Sequence, residues 1–528
     1  MRASPRADAG QAHPVFFWLG TSAVTLGVAF HLPMYIDAAA MNFHLAGMPF
    51  DWRMLTGMAL IGGGTAAGWY GLLPAARMRG LPNAMPAKPA APEAAGDAGK
   101  LRWVHWRLLL VLALALIIDS MKPASLGFTI PGMSQEYALP REVVALLPFL
   151  ALTSLTIGSY VWGAIGDQVG RRSAILLSGI MFVGTAICGA MPGFLGNLIM
   201  CFFMGLAAGG MLPITYALLA ECLPNKHRGW AMVLLGGLGL VGGFFAASGC
   251  ASLFEPYFGW RIMWFLNAPT GLVLILFNRM IPESPRFLLM RGRVEEAYVA
   301  AKRFGASLDV PQWSADPALQ HHSVRAGILL RPPLRGTTAT LNLVALAWGM
   351  INFGLLLWLP AELRTKGYGV LGSDVLLFRS ALVALPTMFV VAWLYTRWST
   401  KWTLCVLTAS TALGLTGFAL IDADVPFARD NPIILFSFLM VGVNGLIAVL
   451  LPYSAENYPV LVRGRGTGLV AGSSKLGGLA AQAATVAALV PGLGVAAAAL
   501  AFPVAVSAAL VAHYGKETRH RRLEDLDR

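Results

Sequence analysis

Three ionisable side chains stand well inside apolar stretches of this chain: Asp119 and Lys122 in LIIDSMKPASL, and Lys475 in SSKLGG. A charge placed in hydrocarbon costs several kcal/mol unless it faces a cavity or a partner, so such groups mark the path of an ion, a proton or a charged solute. Asp119 and Lys122 are three residues apart and share one helix face. One carboxylate and two ammonium groups leave a surplus positive charge when all ionise, which suits an anionic substrate. Asp119 then serves proton coupling or orients Lys122. The competing readings are that Lys122 snorkels to an interface and that Lys475 binds a backbone carbonyl of a neighbouring helix. Asn352 and Asn444, ahead of Tyr216, Trp348 and Gln482, are polar positions suited to lining the same cavity, or to holding helices together.

The elements that must carry these groups are membrane helices. The 528 residues are 57% hydrophobic and 12% charged, against about 25% charged in an ordinary soluble domain. Apolar runs near the roughly 20 residues that cross a bilayer recur along the chain, and their continuity excludes a lipid-facing barrel, whose strands alternate. The net charge of +13 does not imply a nucleic-acid partner, because the great majority of Lys and Arg fall in loops on one side. That asymmetry orients both termini toward the cytoplasm. The five cysteines, Cys188, Cys201, Cys222, Cys250 and Cys405, have no metal-type spacing and are read as packing residues.

The pattern predicts an all-α membrane protein with fourteen spans, in six parts. Residues 1–75 form a two-helix extension whose first segment, from about Pro14 to Ala38, is too long for a signal-peptide core. A Pro/Ala-rich cytoplasmic linker covers 76–100. Six spans occupy 101–281, a polar cytoplasmic segment covers 282–336, six more spans occupy 337–514, and 515–528 is a cytoplasmic tail. An internal repeat supports the division: Ala220-Glu221, Pro224, Arg228-Gly229 recurs as Ala455-Glu456, Pro459, Arg463-Gly464 with an offset of 235. Two related halves suggest alternating access around a midplane site.

Between the second and third core spans lies Gly163-Ala-Ile-Gly-Asp167-Gln-Val-Gly170-Arg171-Arg172. Gly163 is expected to permit close helix approach, Asp167 to pair with Arg171 or cap the next helix, and the arginines to anchor the loop. This loop resembles the signature of the major facilitator superfamily. With Pro282-Glu283-Ser284-Pro285-Arg286, the paired span ends and Glu517-Thr518-Arg519, the chain is similar to the sugar and metabolite branch, which includes organic-ion and aromatic-acid carriers. The resemblance implies a charged inner gate of Asp167, Arg171, Glu221 and Arg228, with Gly170, Arg172, Glu283, Arg286, Glu456 and Arg463 around it. In the second copy of the loop, Ala392, Thr396, Ser399 and Thr400 stand where Gly, Asp, Gly and Arg are expected, so the gate is asymmetric.

The first core span also resembles that of the aromatic-acid proton symporters, which carry D-G-x-D ahead of a Pro. Here Asp119-Ser-Met-Lys122 precedes Pro131, and the second Asp has become Lys. Cys201 stands where many members have an Arg, and Lys122 or Lys475 is expected to take over that cationic role. The leading expectation is proton-coupled symport of a small organic anion in the inner membrane of a bacterium. Sugar transport, a nutrient sensor and a copper carrier are the alternatives, the last resting on His31, Met34, Met41, His44, Met48, Met54 and Met58 near the outer turn of the extension. No P-loop, zinc-type spacing or nucleophile elbow points to an enzyme. No cofactor or resident metal is expected, and the oligomeric state stays open.

Overall fold

In a bilayer every backbone N–H and C=O must be satisfied inside its own segment, which makes helix the outcome for apolar runs of this length. The structure, a computed structural model, describes residues 13–73, 100–291, 293–305, 329, 332, 334–365, 367, 369–458, 463–489 and 492–519. Its long helices are α1 Pro14–Met41, α2 Trp52–Leu72, α3 Trp103–Glu136, α4 Arg141–Val169, α5 Arg171–Ala190, α6 Phe194–Cys222 and α7 Lys226–Phe258. They continue as α8 Ile262–Met280, α9 Arg335–Thr365, α10 Val370–Arg397, α11 Thr400–Ile421, α12 Pro432–Asn457, α13 Arg463–Val486 and α14 Gly494–Tyr514. Twelve helices among the described residues are long and apolar enough to cross a membrane by themselves. The two below that mark, α2 and α13, are diluted by glycine and polar residues.

The dilution in α13 has a packing reason. A Cβ on Gly349 of α9 would strike the backbone carbonyl of Ser474, and one on Gly477 would strike that of Leu346. The two backbones therefore touch, and bulky apolar residues are excluded from the seam.

Helices α3 to α8 form one half and α9 to α14 the other. The most extensive contacts between the halves are made by α7 with α10, α7 with α12, α4 with α13, and α3 with α9. The Asp167 loop lies at one end of the interface, called here the basic end. At the far end, Arg141 of α4 pairs with Glu362 of α9 at 2.6 Å, and Arg364 of α9 bridges Glu255 of α7 at 3.0 Å and Asp374 of α10 at 3.3 Å. These ion pairs tie the two halves together there.

The N-terminal hairpin α1–α2 is zipped by glycines, Gly20 against Gly64 and Gly68 and Gly27 against Gly57, and it leans on α5 through Ile180 and Gly184. Its far-end turn is fastened by polar contacts as well. Leu45 N and Ala46 N donate to Glu136 Oε1 at 2.7 and 2.9 Å, and the Tyr35 hydroxyl donates to Phe258 O at 2.5 Å. The expected linker at 76–100 falls almost wholly outside the described residues. In the inter-half segment, Pro285–Met290 and Val294–Arg303 are short helices.

Candidate functional site

Asp119 sits mid-way along α3, four residues before Pro123. A proline lacks the N–H that would bond the carbonyl four residues back, so the helix ladder is interrupted at Asp119 itself. Its side chain is 8% exposed, its Oδ1 is buried without a hydrogen-bond partner, and it lies in electrostatic reach of both Lys122 and Lys475. Lys475 comes from the opposite half. Its ammonium reaches across the interface to donate to Ser159 Oγ of α4, which also bonds the carbonyls of Leu155 and Gly209. A carboxylate of one half and a cation of the other thus lie within electrostatic reach of each other in the helix bundle, without forming an ion pair.

Lys122 points elsewhere. It is fully buried inside the N-terminal half, where Nζ donates to Phe182 O at 2.5 Å and to Thr185 Oγ1, and stands 3.7 Å from the centre of the Phe182 ring. The ammonium is also in electrostatic reach of Cys188 and Cys201. It does not snorkel to an interface; neighbouring carbonyl, hydroxyl and ring satisfy it inside the half.

The polar positions expected around the site divide by partner. Asn444 donates to Met440 O at 2.9 Å, four residues back on its own helix, and Trp348 Nε1 donates to Val443 O at 2.8 Å. Gln482 Nε2 donates to Phe353 O, so Trp348 and Gln482 hold neighbouring helices together, whereas the Asn444 amide is satisfied within its own helix. Asn352 is half-buried within the π-helical turn Met350–Leu355 of α9, a distortion frequent at functional sites. The hydroxyl of Tyr216 lies against Gly236 of α7, in space a Cβ would fill.

At the basic end, Arg171 NH1 pairs with Asp167 Oδ1 at 2.8 Å and NH2 with Glu221 Oε1 at 3.6 Å. Glu283 Oε1 accepts from Arg171 N at 2.8 Å and Arg172 N at 3.4 Å, so Glu283 rather than Asp167 caps α5. Burial raises the Glu283 carboxyl above its ordinary value, against the hydrogen bonds it accepts from Ser284, Arg171 and Arg172. Gly170 has φ +105°, and a Cβ there would also meet the Glu283 carboxylate. Gly163 is a correction: nothing lies within 4 Å of where its Cβ would be. The close approach of α4 to α6 is made one turn or more earlier, where Gly158 meets the Leu206 carbonyl. Arg228 NH2 donates to Leu223 O at 3.5 Å and faces Glu221, Arg172 NH2 donates to Asn278 at 3.3 Å, and Arg286 is half-buried in the first turn of its short helix.

The C-terminal half repeats the capping with other side chains. Glu517 accepts from Thr400 N at 3.0 Å, Thr400 Oγ1 at 2.7 Å and Ser399 Oγ at the start of α11, as Glu283 does at the start of α5. Glu456 accepts from the Tyr395 hydroxyl at 2.7 Å and from Thr518 at 2.6 Å. Hydroxyls are thus among the partners of Glu456, as Arg171 is of Glu221 in the first half. The side chain of Arg463 lies outside the described residues.

Residues that the sequence did not single out are Ser159, whose partner is 316 residues away, and the far-end group Arg141, Glu255, Glu362, Arg364 and Asp374. A charge close to a helix end was their one signal, and it reads equally as a topology marker. In the hairpin, His31 is buried flat against Gly57, its Nδ1 bonded to Gly27 O at 2.8 Å. No group of three or more His, Cys, Asp or Glu placed to hold a metal occurs among the described residues.

The sequence profile of the Major Facilitator Superfamily matches residues 108–482, which is most of the chain. The chain belongs to this superfamily. Among superfamily relatives, it is 27% identical over 429 residues to the niacin transporter NiaP of Acinetobacter baylyi, covering 80% of this chain and 96% of that one. It is 25% identical over 403 residues to the benzoate transport protein of the same organism, covering 72% and 83%. Its fold matches the solved structure of the proton:xylose symporter XylE bound to 6-bromo-6-deoxy-D-glucose, with a TM-score of 0.62 at 18% identity over 80% of this chain and 98% of that one. The chain is thus a multi-pass membrane transporter of the facilitator fold and not an enzyme.

Proposed function

We propose that this protein imports a small aromatic or related carboxylate together with a proton, by alternating access, in a bacterial inner membrane with its basic end and both termini in the cytoplasm. The observation that carries this reading is Lys475: a cation of one half reaching into the other beside Asp119, whose Oδ1 has no hydrogen-bond donor. The names of the niacin and benzoate relatives support the same substrate class.

The chemistry is a competition. With the site empty, Asp119 is the anion available to Lys475. A substrate carboxylate that binds Lys475 takes over that role and leaves the Asp119 carboxylate beside a second negative charge in a low dielectric. Asp119 escapes by taking up a proton, since like charges disfavour each other's ionised forms. Anion and proton then travel together, and the loaded site keeps the same net charge as the empty one as the halves rock.

The test is counterflow of labelled nicotinate and benzoate in proteoliposomes holding the purified full chain, with xylose as the neutral comparison. Carboxylate exchange is expected, together with accumulation driven by a pH gradient in which the outside is acid. Exchange of xylose without carboxylate would overturn the reading in favour of sugar transport, and ligand-induced thermal stabilisation without flux would favour a sensor.

A further inference from the structure

The far-end ion pairs contain an imbalance. Arg364 serves two carboxylates, Glu255 of α7 and Asp374 of α10, whose side chains are 5% and 0% exposed. The two carboxyls belong to opposite halves and lie within hydrogen-bonding reach of each other. Glu255 Oε1 takes the guanidinium, while its Oε2 is buried with no donor. Asp374 Oδ1 has the Ser373 hydroxyl at 3.1 Å in addition to Arg364. The other charged groups facing the cluster, Arg141 on α4 and Glu362 on α9, are matched to each other at 2.6 Å, with Arg141 also over the Trp358 ring at 4.6 Å. Two acids therefore share one cation in a dry place, and a single proton between them would supply the donor that Oε2 lacks.

We propose that closure of the far end traps one proton between Glu255 and Asp374, making this cluster a pH-sensitive latch that acid closes and alkali opens. The proton balance follows from the topology. When the halves part, Asp374 keeps Arg364 and Glu255 enters water, where an ordinary glutamate ionises near pH 4.3. The proton leaves to the far side on opening and is taken up from that side on closing. The latch is thus a sensor of the pH on its own side, separate from the midplane site. It stands whatever the substrate proves to be.

Spin labels at Tyr257→Cys and Leu371→Cys, exposed positions beside the two acids, report the far-end opening by electron–electron distance measurement on the full chain in lipid nanodiscs. The half-buried Cys250 and Cys405 are replaced by Ser, and no substrate is added. One trapped proton predicts that the ratio of long-distance to short-distance populations rises about tenfold per pH unit over the titrating range. Glu255→Gln, an amide that can donate in place of the proton, is expected to hold the short distance at every pH, and Asp374→Asn to flatten the titration as well. A wild-type distance that does not change between pH 5 and 9 overturns the proposal. So does a folded Glu255→Gln chain that titrates as the wild type does.

Discussion

Lys475 and Lys122 are the same residue type in similar apolar surroundings, yet their partners assign them different work. Lys475 has one hydroxyl of the opposite half and a nearby carboxylate, so Lys475→Ala is expected to lose nearly all carboxylate exchange. Lys475→Arg should retain part of it, measured by the same counterflow. Asp119→Asn is expected to keep counterflow, which needs no net proton movement, and to lose accumulation driven by a pH gradient; unchanged accumulation would remove Asp119 from coupling. Lys122 is satisfied within its own half. Lys122→Met should therefore lower thermal stability more than it lowers substrate affinity. The sequence marked all three groups because a charge in an apolar run is conspicuous one residue at a time. It did not separate their roles, because Ser159 and Phe182 are distant in the chain.

At the scale of elements, each half uses a carboxylate from beyond its sixth helix to cap its third. Glu283 and Glu517 hold the starts of α5 and α11. Burial would raise the Glu517 carboxyl, but hydrogen bonds from Ser399, Thr400 and Arg519 hold it below the ordinary value of 4.5. A depressed folded value means that its stabilisation is full above pH ~4.5, the unfolded value, and is lost as pH falls through the folded one. Glu517→Gln is accordingly expected to lower the melting temperature at pH 7 and to remove part of the acid sensitivity seen below pH 5, read by a thermal-shift titration. Both capping strings were legible as motifs, but which backbone each would cap was not. Gly163 shows the opposite failure: a motif glycine was given a packing role that Gly158 performs, because spacing alone does not say which helix face meets a neighbour.

For the whole molecule, the question is which parts move together. The hairpin rests on α5, Glu136 and Phe258, all in the N-terminal half, whereas Arg141–Glu362 spans the halves. A chemical cross-link between Phe43→Cys and Phe258→Cys is therefore expected to leave transport intact, and one between Arg141→Cys and Glu362→Cys to stop it, with uptake restored on reduction. Glu136 also receives Arg261 NH2 at 2.7 Å, and both side chains are fully buried. Arg261→Ala should cost about 3–5 kcal/mol by leaving that carboxylate unpaired, seen as a large fall in melting temperature. By itself the sequence determined that this chain crosses a membrane many times, that it repeats in two halves and that it carries the superfamily's signature loop, because hydropathy, repeats and motifs are local in the chain. Only the tertiary structure decided which intramembrane charges face across the halves, and that the far end closes on two acids sharing one arginine. Those are properties of helix faces brought together from different helices and different halves of the chain, and no local pattern encodes them.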